Sequence, residues 1–407
     1  MSSLIIIISI LIPINIFAGW IKQNTPVTAN LYSINSNHGN NNIAWTCGEN
    51  GVILYTSNGG SSWIQQNSGT TADLFAIVFM EISGSPVFAC GENGTMLYST
   101  NSGTEWNPIS LNTDKTLRDI SDFGFVAVGD SGVIFKSTDN GLNWFSVSSP
   151  VTENLYGVSG SFGYYAVGKN GTVISGINLG QSWSIMNSGL SDDLYGVPLF
   201  GARDIAVGAN GVILRSTNSG ANWFTQNSFT SQNIRSVEYS INNTSKVYCA
   251  GDSGLILKTT DGGNTWGRQI SGTSEDLHSV FFYLNDNSGY ACGDNGTILR
   301  TTDGGGVITN ISNVSSEISD DYTLSQNYPN PFNPKTVISY ELRVTGFAKL
   351  IVYDVLGNEV EELVNEKKNA GSYSVEFDGS GFASGVYFYS LNIDGKNYYT
   401  KRMVFLK

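Results

Sequence analysis

Histidine is nearly missing from this chain, at 2 in 407 residues. A zinc site built on several imidazoles has no ligands here, and Ser/His/Asp catalysis would have to run through His38 or His278. Charged residues are only 14% against the usual ~25%, so the Glu, Lys and Arg of a coiled coil are not available. Proline is scarce at 9 residues, and the 4 cysteines contain no Cys-x-x-Cys spacing, which argues against metal ligation. No apolar run reaches the ~20 residues of a membrane helix. The longest, Leu4 to Phe17, is interrupted at Ser9, Pro13 and Asn15 and followed by Ala18. It reads as a secretory signal peptide over 1–19, leaving an exported mature chain with no membrane span. Basic residues are short as well: 21 Lys+Arg against 34 Asp+Glu give a net charge of -13, which repels phosphate backbones and disfavours nucleic acid as a partner.

Glycine, in contrast, is abundant at 47 residues, and 40% hydrophobic and 12% aromatic residues supply sizeable cores. The glycines are periodic. A Gly-x-x-Gly element starts at Gly48, Gly91, Gly129, Gly168, Gly208, Gly251 and Gly293, a spacing of 38 to 43 residues. Fifteen residues after each of the first six stands Trp63, Trp106, Trp144, Trp183, Trp223 or Trp266, and the seventh copy has Ile308 there. Eleven residues after each tryptophan comes an aliphatic residue, Leu74, Leu117, Leu155, Leu194, Ile234 or Leu277; Trp20 finds Leu31 at the same offset. Each unit holds four strand-like runs, in the second copy Leu74–Phe79, Pro86–Cys90, Thr95–Thr100 and Trp106–Ile109. That is the content of a propeller blade. The chain opens on a lone fourth strand at Trp20 and leaves the seventh copy after its third, so the N-terminal strand is expected to close the ring over 20–306. The indole of Trp144 is expected to be buried between blades, and Trp45, outside the register, to matter less.

The segments before the tryptophans read Thr56-Ser-Asn58-Gly-Gly60-Ser-Ser-Trp63, Ser137-Thr-Asp139-Asn-Gly141-Leu-Asn-Trp144 and Thr259-Thr-Asp261-Gly-Gly263-Asn-Thr-Trp266. They resemble the Asp box of BNR-type repeats, and the whole unit is similar to the propellers of the photosystem II stability/assembly factor family. The box is a folding element: Asp or Asn closes a hairpin on its own backbone and glycine supplies a positive φ. The fourth copy departs, with Gly176 and Asn178 at the Ser/Thr and Asp positions. Sialidases share the box, but the Arg-x-Pro start and arginine triad of that family are not present, and no catalytic residue is assigned.

After Thr309 the repeat stops, and 307–321 reads as a linker rich in Ser and Asn. Residues 322–407 carry Tyr328-Pro-Asn-Pro-Phe-Asn-Pro334, Val352-Tyr-Asp-Val-Leu-Gly-Asn-Glu-Val360, Ala383-Ser-Gly-Val-Tyr-Phe-Tyr-Ser-Leu391 and Lys401-Arg-Met-Val-Phe-Leu-Lys407. This closely resembles the type A C-terminal sorting domain of the type IX secretion system, a small Ig-like β-sandwich. The resemblance implies export across the outer membrane by that machinery, to the cell surface or the medium. The expected fold is therefore all-β: a seven-bladed β-propeller followed by a small β-sandwich.

Two rings of candidate functional residues follow from the repeat register. The residue after each aliphatic position gives Tyr32, Phe75, Arg118, Tyr156, Tyr195, Arg235 and His278, aromatics and cations at the channel mouth that suit sugars or peptide side chains, with inter-blade packing as the competing account. The first variable position of the Gly-x-x-Gly turns gives the acidic Glu49, Glu92, Asp130, Asp252 and Asp294, with Lys169 and Ala209 in the remaining copies. Solvated turn residues or a face for a basic partner are the two readings of that ring. No cofactor and no metal is called for. The expected function is a binding module for an extracellular protein or glycan; the alternative is a secreted glycan hydrolase.

Overall fold

The computed structural model describes residues 19–306 and 322–407, apart from 38, 81–85, 122–124, 161–162, 199–203, 241–242, 283–286, 343–344, 356, 370 and 395. The signal peptide and linker expected over 1–19 and 307–321, and His38, lie outside them, save Gly19. The chain divides into two compact units, Met1–Asn310 and Ile311–Lys407.

The first unit consists of seven four-stranded antiparallel sheets. In blade 1 the strands run outward as Leu31–Ser36, Ala44–Gly48, Ile53–Thr56 and Ile64–Gln66. In blade 2 they are Leu74–Phe79, Val87–Gly91, Met96–Ser99 and Asn107–Pro108, each within the run read from sequence except the second, which runs one residue further to Gly91. Blade 7 takes its outermost strand from the other end of the chain: Ile21–Lys22 pairs with Ile298–Thr301 through Ile21↔Arg300 and Lys22↔Leu299. Trp20 seals this joint, buried edge-on against Phe282 at 5.7 Å with its Nε1 donating to Gln269 Oε1 at 3.1 Å.

The Gly-x-x-Gly turns show why the glycines sit where they do. In blade 1 a Cβ on Gly48 would lie 1.9 Å from the carbonyl oxygen of Asn30, just before the same blade's innermost strand, so no side chain fits. Asn50 adopts the left-handed region (φ 55°) and Gly51 follows at φ 70°. Asn93, Ser131, Asn170, Asn210, Ser253 and Asn295 repeat that left-handed middle residue in the other blades. At the opposite end the Asp boxes close as expected. The Ser137 hydroxyl accepts from Gly141 N–H at 2.9 Å, and Asp139 Oδ1 accepts from Asn143 N–H at 2.8 Å. In blade 4 Gly176 has no hydroxyl to offer, and the turn is held by Gly180 N–H donating to the Ile177 carbonyl at 3.0 Å.

One expectation about the indoles is reversed. Trp45 is 1% exposed, stacked on Phe79 at 5.6 Å, whereas Trp144 is only partly buried. Trp45 sits on a second strand, whose two faces are both covered by neighbouring blades, and Trp144 lies on the outermost strand of its blade. Cys47, Cys90, Cys249 and Cys292 are free thiols buried in second strands.

The second unit packs a sheet of Tyr322–Leu324, Lys335–Leu342 and Gly371–Asp378 against one of Glu359–Lys368, Gly346–Tyr353, Gly385–Ile393 and Lys396–Phe405. The alternating Tyr387, Tyr389 and Leu391 all face its core. Phe332 of the proline-rich entry is buried on Phe405, and its N–H donates to the Val404 carbonyl at 2.9 Å, tying the start of this unit to its last strand.

Candidate functional site: the channel mouth

The repeat places equivalent residues of all innermost strands around the central channel. Tyr32, Phe75, Arg118, Tyr156, Tyr195, Arg235 and His278 all line one cavity of about 420 Å³ at its mouth. Because Leu31 pairs with Gly48, and the other blades repeat this register, the Gly-x-x-Gly turns stand at the same end. The two rings read separately from sequence are thus one structure.

Their side chains meet blade by blade. Arg118 forks onto Asp130 with two bonds of 2.9 Å. Arg235 donates from Nε to Asp252 Oδ1, with Asp276 3.7 Å from its Nη2. His278 Nε2 is 2.6 Å from Asp294 Oδ1, and Tyr32 donates to Glu49 Oε1 at 3.3 Å. Burial and the Glu49 charge together raise the Tyr32 phenol above its ordinary range. Glu92, whose ring neighbour Phe75 has no polar head, accepts from the Asp73 N–H at 3.3 Å instead. The acidic ring is therefore no free band of charge: each of its five carboxylates is bonded within its own blade, two of them to the arginines of the mouth and one to the His278 imidazole. Among the described residues no group of three or more His, Cys, Asp or Glu is arranged to hold a metal ion.

Aromatic contacts link neighbouring blades. His278 meets Tyr32 edge-on at 5.4 Å, Tyr32 stacks on Phe75 at 5.1 Å, and the Arg118 guanidinium lies 4.7 Å over Phe75. Tyr156 and Tyr195 form a separate tilted pair at 5.8 Å. Packing between blades, the competing account, is thus part of what Tyr32 and Phe75 do. Deeper in the cavity the strands present Ser33, Asn35, Asp119, Ser236 and Ser279. Several of these stitch inner strands together: Ser33 Oγ accepts from Ile77 N–H, Asp119 Oδ2 from Val158 N–H and Ser236 Oγ from Val280 N–H.

One set of residues escaped the sequence reading. Asp73, Asn154, Asp193, Asn233, Asp276 and Asn30 each accept, through the side chain, the N–H of the left-handed turn residue of the preceding blade, at 2.8 to 3.0 Å. The last of these, Asn30 to Asn295, spans the closure of the ring. Their signal was present as an Asn or Asp immediately before the aliphatic residue in six copies; Thr116 is the exception.

A seven-bladed Asp-box propeller followed by a secretion-type β-sandwich defines the class of protein. The chain belongs to the family described as photosynthesis system II assembly factor YCF48, whose model matches residues 13–302, and its C-terminal part matches the secretion system C-terminal sorting domain over 326–405. No curated protein matches the chain. Among solved structures, one described as YCF48 bound to D1 peptide superposes with a TM-score of 0.59 at 21% identity, covering 70% of this chain and 95% of that one. YCF48 from Cyanidioschyzon merolae gives 0.57 at 20%, covering 70% and 99%. These likenesses support the propeller fold. The sorting domain marks the chain for type IX export to the secreted or cell-surface space. Among the described residues no helix is long and apolar enough to cross a membrane.

Proposed function

We propose that this protein is an exported propeller that binds an extracellular protein or glycan at its channel mouth, with no bond-breaking chemistry of its own. One observation carries the reading: seven side chains from seven blades converge on a single cavity, and the two arginines among them are already paired with carboxylates of their own blades. Such a mouth is preorganised, so little ordering cost falls on the ligand. The solved YCF48 structure with a D1 peptide supports a peptide as one class of ligand for a propeller of this kind.

The test is to probe the labelled full-length chain against glycan and protein arrays and then analyse the captured ligand by mass. The expected result is retention of one ligand class, recovered unchanged and competed away by nothing outside that class. Shortened glycan after incubation would favour the hydrolase instead, and capture that survives replacement of the ring residues by alanine would move the site elsewhere.

A further inference from the structure

The seven mouth residues are not equivalent, and the difference localises the ligand. From blade 7 through blade 3 they form a continuous run, His278 on Tyr32, Tyr32 on Phe75 and Arg118 over Phe75. Phe75 has a neighbour on its ring from each adjoining blade, and the polar heads of Tyr32, Arg118 and His278 are held by Glu49, Asp130 and Asp294. That side of the mouth is largely occupied with itself.

Blades 4 and 5 differ in three respects. Their turns carry Lys169 and Ala209, so neither Tyr156 nor Tyr195 has a carboxylate from its own blade's turn behind it. Their rings pair with each other and with no other ring residue. And the position two residues after the aliphatic one is Gly157 and Gly196, where the other blades place Ser33, Ala76, Asp119, Ser236 and Ser279, so neither blade has a side chain there between it and the next. A Cβ on Gly157 would lie 2.7 Å from the Tyr195 carbonyl oxygen. Arg118 and Arg235 bound this arc on either side, both already neutralised.

We infer that the arc over blades 4 and 5 is the ligand seat and that its ligand is a pyranose ring of a neutral glycan; this rests on the channel-mouth reading above. Aromatic faces complement the C–H face of a sugar, and guanidinium–carboxylate forks offer donors and acceptors in one plane to neighbouring hydroxyls. An acidic ligand would have to compete with Asp130 and Asp252 for their arginines, and a basic one with those arginines for the carboxylates. The cavity, about 420 Å³, is of small-ligand size.

The experiment is calorimetric titration of the full-length chain with neutral oligosaccharides (gluco-, xylo-, manno- and N-acetylglucosamine-based), with an oligogalacturonate and with a lysine-rich peptide. Saturable binding of a neutral oligosaccharide is expected, weakened about tenfold or more by Tyr195→Ala and changed less than about twofold by Phe224→Leu, on the exposed outermost strand of blade 5. Circular dichroism confirms that both variants fold. Binding of only the charged probes, with the same loss at Tyr195→Ala, would overturn the neutral-glycan class and leave the mouth as the site. Neutral-sugar binding indifferent to Tyr195→Ala would overturn the seat. Failure of every probe to bind would count against the glycan class, and array capture insensitive to all seven ring residues would remove the mouth reading itself.

Discussion

At the hairpin end of the blades the same chemistry recurs from copy to copy. Six Asp boxes place a Ser or Thr hydroxyl on the glycine N–H four residues on, at 2.8 to 3.1 Å. At the opposite end the backbone is just as regular, with a left-handed turn residue in every blade, yet the mouth position is Tyr, Phe, Arg, Tyr, Tyr, Arg and His in turn. Where a repeat keeps its residue type, the backbone demands it. Where identical backbone carries varied side chains, the variation answers to something other than the fold. The hairpin end is the scaffold of this propeller, and the mouth is where the proposed function draws on it.

The largest test of that division lies in the tryptophans. Trp45→Ala should destabilise the propeller by about 3 to 5 kcal/mol, since it empties a fully buried indole site, and Trp144→Ala by distinctly less, measured by urea unfolding. Equal losses would mean that burial between second strands does not dominate the scaffold.

Asp204 breaks the rule at the scaffold end. It stands where other copies have Ala44, Val87, Phe125, Tyr164, Val247 or Gly289, it is fully buried, and neither of its carboxylate oxygens has a hydrogen-bond partner. Burial pushes its carboxyl up to about 7. The folded state therefore holds a proton that the unfolded chain, with an ordinary aspartate near ~3.9, has released. Stability from this group is complete below pH ~4 and is lost as pH rises towards 7, by about 2 to 4 kcal/mol. Asp204→Asn should raise Tm at pH 8 and leave it nearly unchanged at pH 4. A variant with the wild-type pH slope would show that Asp204 is not the group responsible.

The smallest effect compares a complete Asp box with the degenerate one. Asp139, whose carboxyl is held below its usual range chiefly by the Asn143 N–H, should cost about 1 kcal/mol when changed to Ala. Asn178→Gly, in the box that lacks its hydroxyl partner and at a left-handed residue (φ 51°) where glycine is free of strain, should cost close to nothing, as read by thermal unfolding of the two variants side by side.

Much of this architecture was legible because each blade is a local solution repeated. Glycine spacing fixed the turns, the Trp-to-aliphatic interval fixed the fourth and first strands, and the orphan strand at Trp20 announced ring closure, which Ile21↔Arg300 fulfils. Burial was less legible: Trp45 shares its repeat position with Phe88, Val126, Tyr165, Ile205, Tyr248 and Tyr290, all buried, but its depth comes from neighbouring blades that no single copy contains. The ring residues could be picked by register, but their pairing could not. Reading the turn position and the strand position as separate rings concealed that Asp130 and Asp252 exist beside Arg118 and Arg235, 12 and 17 residues apart in sequence yet touching across one strand pair. The Asn and Asp staples between blades were missed for the same reason, since their acceptors' partners lie in the preceding copy.

Hydrogen exchange by mass spectrometry on the full-length chain, with and without the ligand retained on the array, tests the two-ended account most directly. The account predicts added protection in the innermost-strand starts at 155–157, 194–196 and 234–236 and in the Gly-x-x-Gly turns beside them, with the Asp-box hairpins at 56–63, 137–144 and 259–266 unchanged. Protection centred on those hairpins or on the outermost strands, with the mouth unaffected, would contradict it.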